Sequence, residues 1–193
     1  MPGYLKDRRD KTGLERLYML KSLFFAAILL VGLVFMNPAK AQDKIDLIGG
    51  YNDWDAFTLK KPGGELMCYM VSVPKSWKAS KDDVSRGEIY ITVTHRPKAD
   101  VRDQVNAVVG YPFKNGSEAK AVVDGKSRFT LFTQGDGAWL YTSKDDQSMV
   151  AAMRRGNSLV VEGTSARGTV TTDRYSLSGF TAAHNAISRA CNQ

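Results

Sequence analysis

Ile89-Tyr-Ile-Thr-Val-Thr94 alternates without a break, placing Ile89, Ile91 and Val93 on one face and Tyr90, Thr92 and Thr94 on the other. A period of two built from β-branched and aromatic residues is the pattern of a half-buried strand. Leu66 to Val73 repeats it, with Met67, Tyr69, Val71 and Val73 on one side and Cys68 on the other. Farther out, Val105 to Val109 runs into Gly110-Tyr-Pro-Phe113. Ala119 to Val123 and Lys126 to Thr133 flank Asp124-Gly125, a pair suited to the positive φ angles of a two-residue hairpin turn. Ser158 to Gly163 and Thr169 to Leu177 form a second pair through Ser165-Ala-Arg-Gly168, and Trp54 to Leu59 is the expected first strand.

Two helical patterns interrupt the strands. Asp146 to Arg155 gathers Met149, Ala152 and Met153 on one face, with acidic residues at its start, arginines at its end and Gly156 as a stop. Phe180 to Ala190 follows Ser178, a candidate N-cap, and carries Phe180, Ala183, Ile187 and Cys191 at intervals of three and four. His184 is expected toward the exposed side of that helix. Many short strands with closely spaced turns predict a mainly all-β, two-layer β-sandwich with two short helices.

Upstream lies an apolar run, Ser22-Leu-Phe-Phe-Ala-Ala-Ile-Leu-Leu-Val-Gly-Leu-Val-Phe-Met36, preceded by basic residues and followed by Asn37-Pro-Ala-Lys-Ala41. This is the layout of a secretory signal peptide, with Ala39 and Ala41 suited to signal peptidase and Gln42 as the new N-terminus. An uncleaved anchor would want about 20 apolar residues, more than the run supplies. Residues 1–41 are therefore expected to be the signal, with Met19 as an alternative start, and residues 42–193 a single domain. The expected location is the periplasm, the outer-membrane surface or the exterior, with no membrane span left after cleavage. Of the formal charge of +7, the segment before Gln42 contributes +4, from seven basic and three acidic residues, leaving +3. That balance argues against nucleic acid as a partner.

Cys68 and Cys191 are the two cysteines. In an oxidising compartment an isolated even pair reads as a disulfide. A redox-active pair is the alternative, but no Cys-x-x-Cys is present and neither cysteine neighbours a histidine in sequence. The stripe on the last helix makes Cys191 the anchor that would bolt it to the strand holding Cys68.

Arg86-Gly-Glu-Ile-Tyr-Ile-Thr-Val-Thr-His-Arg-Pro97, Gly110-Tyr-Pro-Phe-Lys-Asn-Gly-Ser117, Leu131-Phe-Thr-Gln-Gly-Asp-Gly-Ala-Trp139, Met149-Val-Ala-Ala-Met-Arg-Arg-Gly156 and Thr171-Thr-Asp-Arg-Tyr-Ser-Leu-Ser-Gly-Phe180 occur in this order. Together, from about Trp54 to Cys191, they resemble the invasion-associated locus B family of alphaproteobacterial envelope proteins. The resemblance implies an exported, immunoglobulin-like β-sandwich and supplies no catalytic residues. Some members carry a cysteine shortly after the early tryptophan; here Trp54 is followed by Asp55-Ala-Phe-Thr58, which leaves Cys191 as the partner for Cys68.

Chemistry-bearing motifs are sparse. His95 and His184 are the only histidines, and no Gly-x-Ser-x-Gly elbow accompanies them. A Ser-His-Asp hydrolase would need one of them held between a carboxylate and a serine. No zinc-type ligand spacing and no phosphate loop is present, and Gln134-Gly-Asp-Gly137 reads as a turn. Asp136, Asp145 and Asp146 lack the ligand register of a calcium loop. No enzyme activity, cofactor or metal is expected. Trp54, Tyr111 and Trp139 read as core or turn anchors. The remaining candidate is a basic, aromatic-containing surface of Lys75, Trp77, Lys78, Arg86, His95, Arg96, Lys98 and Arg102, with Lys81 beside it. If the loops carrying them converge, they would form a cationic rim for an anionic lipid, lipopolysaccharide or an acidic envelope or host-surface protein.

Overall fold

The computed structural model describes residues 42–192. The segment expected to be the signal, with Ala41 on its side of the expected cleavage point, lies outside them; Gln42 is the first described residue and precedes the first strand. Eleven strands follow: β1 Lys44–Tyr51, β2 Trp54–Lys60, β3 Leu66–Ser72, β4 Ser76–Ala79, β5 Tyr90–Arg96, β6 Val101–Val108, β7 Glu118–Val123, β8 Ser127–Gln134, β9 Gly137–Leu140, β10 Ser158–Thr164 and β11 Val170–Ser176. Two helices, α1 Ser143–Met153 and α2 Phe180–Ala190, and a 3-10 turn at Pro97–Ala99 complete the domain. Among the described residues, no helix is long and apolar enough to cross a membrane.

The strands hydrogen-bond into one antiparallel array in the order β1-β2-β3-β5-β6-β9-β8-β7-β10-β11-β4. The array curls back on itself: the indole Nε1–H of Trp54, on β2, donates to the carbonyl of Ser176, on β11, at 3.0 Å. Asp53 N–H likewise reaches Ser178 O at 3.3 Å. Both halves of the sheet thus enclose one core, in which Ile91, Val93, Val105, Leu131, Leu159 and Ile187 are buried. The mainly β architecture follows directly from the alternation in β5, whose inward residues Ile91, Val93 and His95 are buried in turn. Helix α2 packs on β1, β2, β3 and β5, with the Trp54 and Phe180 rings edge to face at 4.9 Å. Helix α1 packs on β6, β8 and β9.

The predicted Asp124-Gly125 turn forms, at φ 49° and 71°, but Val123 pairs with Ser127, so Lys126 is a third loop residue and not the start of β8. The β10–β11 pair forms as predicted as well. Four other local expectations need correction. β1 precedes the expected first strand and pairs with it; its Gly49-Gly50 and the bulge beside Leu47 mask the alternation. Helix α1 begins three residues earlier than Asp146, because Thr142 caps it by accepting from Asp145 N–H at 3.2 Å. Gly179, at φ 89°, takes the N-cap place assigned to Ser178, since a Cβ there would collide with the Tyr51 carbonyl. Ser76–Ala79, which carries Trp77 and Lys78, is an edge strand on β11 rather than a loop.

Candidate functional site

A register shift between β5 and β6, where Thr94 and Arg96 face Gln104 and Val101, places Asp103 at φ 61°. Bulges re-aim side chains, and this one turns Asp103 inward beneath α2. There it meets both histidines. The backbone N–H of Asp103 donates to His95 Nδ1 at 3.0 Å, and its Oδ1 lies 2.6 Å from His184 Nε2. His95 Nε2 reaches Ser188 Oγ at 3.1 Å, and Arg154 Nη1 reaches His184 Nδ1 at 3.3 Å. His184 is therefore buried, not solvent-facing, and His95 is wholly buried, which removes it from the surface set. The intervals 95, 103 and 184 gave no local sign of this cluster; only the β5–β6 register and the packing of α2 assemble it.

The donors fix the proton positions. A backbone N–H can only donate, so His95 Nδ1 accepts and its proton sits on Nε2, directed at Ser188. Arginine also only donates, so His184 Nδ1 accepts and its Nε2–H points to the Asp103 carboxylate. Burial is the main cause that pushes His95 down to about 4, against the opposing pull of Asp103. Burial alone would raise Asp103, but the hydrogen bond from His184, with the Arg102 guanidinium nearby, outweighs it and holds it below the usual carboxylate range. Asp146, at the start of α1, accepts from Val105 N–H at 2.9 Å, and its desolvation pushes it up to about 6.

Ser188, His95 and Asp103 look like a hydrolytic triad, but their polarity is reversed. A general base needs a free Nε2 lone pair and an Nδ1–H held by carboxylate. Here Nε2 carries the proton, and the Asp103 carboxylate is 3.9 Å from Nδ1. The expectation that no metal-type cluster exists is corrected: the ligand atoms of His95, Asp103 and His184 all lie within 4.8 Å of one another. The nitrogens nonetheless face committed partners, since His95 Nδ1 meets an N–H and His184 Nδ1 meets a guanidinium. A cation would have to displace both, so this donor set does not suit one. What the arrangement does is fasten α2 to β5 and β6 beside the Cys68–Cys191 disulfide, whose Cα atoms are 6.0 Å apart.

A second lock ties β11 to the segment that precedes β5. Arg86 forms a two-pronged ion pair with Asp173, at 2.5 and 2.7 Å, and its Nε donates to Val109 O at 2.9 Å. Its guanidinium is 5.2 Å from the ring centres of both Trp77 and Tyr111. With side-chain exposure of only 2%, Arg86 is an internal tie and not part of an open basic surface. Tyr111, whose hydroxyl is 2.6 Å from Thr171 Oγ1, is a turn anchor as expected.

The other predicted surface residues fall into two groups. Lys75 and Lys78 lie around β4, where Lys75 pairs with Asp53 and Trp77 is 43% exposed. Arg96, Lys98 and Arg102 lie on the β5–β6 hairpin; Lys98 reaches Gly63 O in the β2–β3 turn, and Arg96 reaches Gln104 Oε1 at 3.0 Å. Asp53 precedes β2 and Gly63 follows it, so the two groups sit at opposite ends of that strand. They do not meet in one rim.

Near Arg86, two open hollows join over Gly110-Tyr-Pro112. One, about 520 Å³, lies between Gly87-Glu88, Tyr90 and Gly135-Asp136. The other, about 620 Å³, lies between the Lys81–Ser85 segment and the β10–β11 turn.

These features define a disulfide-closed, antiparallel domain whose buried polar residues serve as fasteners and whose clefts are lined by residues other than those of the histidine cluster. A family model described as Invasion associated locus B (IalB) protein matches residues 54–188, and the chain belongs to that family. No curated protein and no solved structure matches it.

Proposed function

We propose that the domain is a non-enzymatic binding module of the cell envelope. The observation that carries this reading is the direction of the hydrogen bonds at His95: the histidine that touches a serine is locked in the tautomer unable to deprotonate it. Asp103 and His184 are tied into the same fastening, so the domain's histidines are spent on stability. The buried disulfide supports an oxidising compartment, and the expected signal segment supports export. The cationic residues lend less support to an anionic partner, because they are divided between two ends of the domain and Lys75 is already paired. Photo-crosslinking of the protein in its own cell tests the reading. A specific envelope or host-surface protein should be captured equally by the native chain and by Ser188→Ala. Turnover of an ester or peptide that disappears in Ser188→Ala would overturn it.

A further inference from the structure

We infer that the joined hollows over Gly110 form a docking groove for an extended peptide segment carrying arginine or lysine. This deepens the binding-module reading and rests on it.

The groove is held open by its own backbone. Gly87 N–H donates to Gly110 O at 2.8 Å, and Gly110 sits at φ 72° with no room for a side chain: an added Cβ would lie 2.7 Å from Gly87 O. Across the floor, Val109 N–H donates to Asp136 O at 3.1 Å and Phe113 N–H to Gly135 O at 2.8 Å. The Arg86–Asp173 lock fixes the Gly87-Glu88 wall. Recognition by preformed walls avoids the ordering cost of a mobile site.

Charge and shape choose the occupant. The smaller hollow is lined by Glu88 and Asp136, both exposed, together with Tyr90 and Tyr111, and by no basic residue. Among the described residues, neither carboxylate has an ion-pair partner. Two carboxylates beside aromatic rings suit a guanidinium or ammonium. This anionic spot lies in a domain of net charge about +3, which makes it a local feature and not a reflection of composition. The larger hollow shares Gly110-Tyr-Pro112 and sets Asp82 and Asp83 against Lys81 and Arg167, so the net negative charge is concentrated at Glu88 and Asp136. Its Thr171 and Ser165 hydroxyls are already engaged by Tyr111 and by Thr169 N–H. Adjoining hollows of about 520 and 620 Å³ that share Gly110-Tyr-Pro112 exceed what one side chain fills, and an extended chain, at about 3.3 Å per residue, would reach from one to the other within a few residues.

The test uses the full chain with its disulfide formed, and measures fluorescence anisotropy with a labelled octa-arginine peptide. We expect saturable one-to-one binding, weakened at least tenfold by E88Q/D136N and less than twofold by the control E162Q/D43N. Amide shifts on peptide addition should centre on Gly87, Gly110 and Gly135. Equal weakening by the control pair would overturn the inference in favour of diffuse charge attraction. Equally tight binding of spermine would overturn it in favour of a small cation site. Binding of octaglutamate or phosphatidylglycerol vesicles without binding of octa-arginine would overturn it in favour of an anionic partner. Crosslinking in the cell separates this inference from the reading beneath it. A partner still captured by E88Q/D136N would refute the groove and leave the binding module intact. Peptide binding with no partner captured would refute the module and leave the groove.

Discussion

The amide of Asp103 donates to His95 Nδ1 across 3.0 Å, while its carboxylate accepts from His184 Nε2 at 2.6 Å. One bulged residue thereby sets the roles of both histidines. Asp103→Asn keeps an acceptor for His184 and should cost about 1 kcal/mol, whereas Asp103→Ala leaves a buried N–H without a partner and should cost about 3 kcal/mol. Urea denaturation of the two variants measures the gap; equal losses of about 1 kcal/mol would show that the contact with His184 does not matter.

The buried acids and bases make opposing contributions to pH dependence. His95 is pushed down to about 4 from 6.5, so its stabilisation is present above 6.5 and is lost as pH falls through 4. Asp146 is raised to about 6 from 3.8, so its protonated form stabilises below 3.8 and that contribution is lost as pH rises through 6. Between pH 4 and 6 the two slopes offset each other. Asp146→Asn retains an acceptor for Val105 N–H and removes one of them. It should be more stable than the native chain at pH 7 by about 1–3 kcal/mol, and it should fall off more steeply toward pH 4. Thermal melts across that range would contradict this if both proteins showed the same profile.

Arg86 and Asp173 should behave as a buried pair. Arg86→Met strands a carboxylate whose side chain is 1% exposed, and a loss of about 3–5 kcal/mol is expected. The double variant Arg86→Met/Asp173→Leu should lose much less than the two single losses combined. Arg86→Lys should not rescue, because a lysine cannot make the two-pronged contact and also reach Val109 O. Additive losses in the double-mutant cycle would remove the lock from the account.

The disulfide closes a span of 123 residues between β3 and the end of α2. Cys68→Ser/Cys191→Ser should destabilise the domain by about 2–5 kcal/mol. Hydrogen exchange should accelerate first in α2, since its other ties are the histidine contacts, the Thr181 and Asn185 contacts with Arg154, and apolar packing. Uniform acceleration throughout the domain would show that α2 does not detach separately.

Alternation made β5, β3 and the β7–β8 and β10–β11 hairpins legible, and the three- and four-residue spacing gave α2 its limits. β1 escaped because a bulge and two glycines interrupt its period. The disulfide was legible because it needed only a cysteine count and a compartment. The histidine cluster was not, because its members lie on β5, β6 and α2 and meet through a register shift that leaves no mark in spacing. Arg86 read as a surface cation because Asp173, its partner, is 87 residues away. The groove was hidden for a similar reason: Glu88 and Asp136 come together only when the sheet folds over Gly110.

The most direct test of the central claim is the tautomer of His95, read from long-range nitrogen–proton NMR correlations of the imidazole ring at pH 7. The account predicts a neutral ring with its proton on Nε2 and Nδ1 unprotonated. A proton on Nδ1 with a free Nε2 facing Ser188 would contradict it and restore a catalytic reading of the pair.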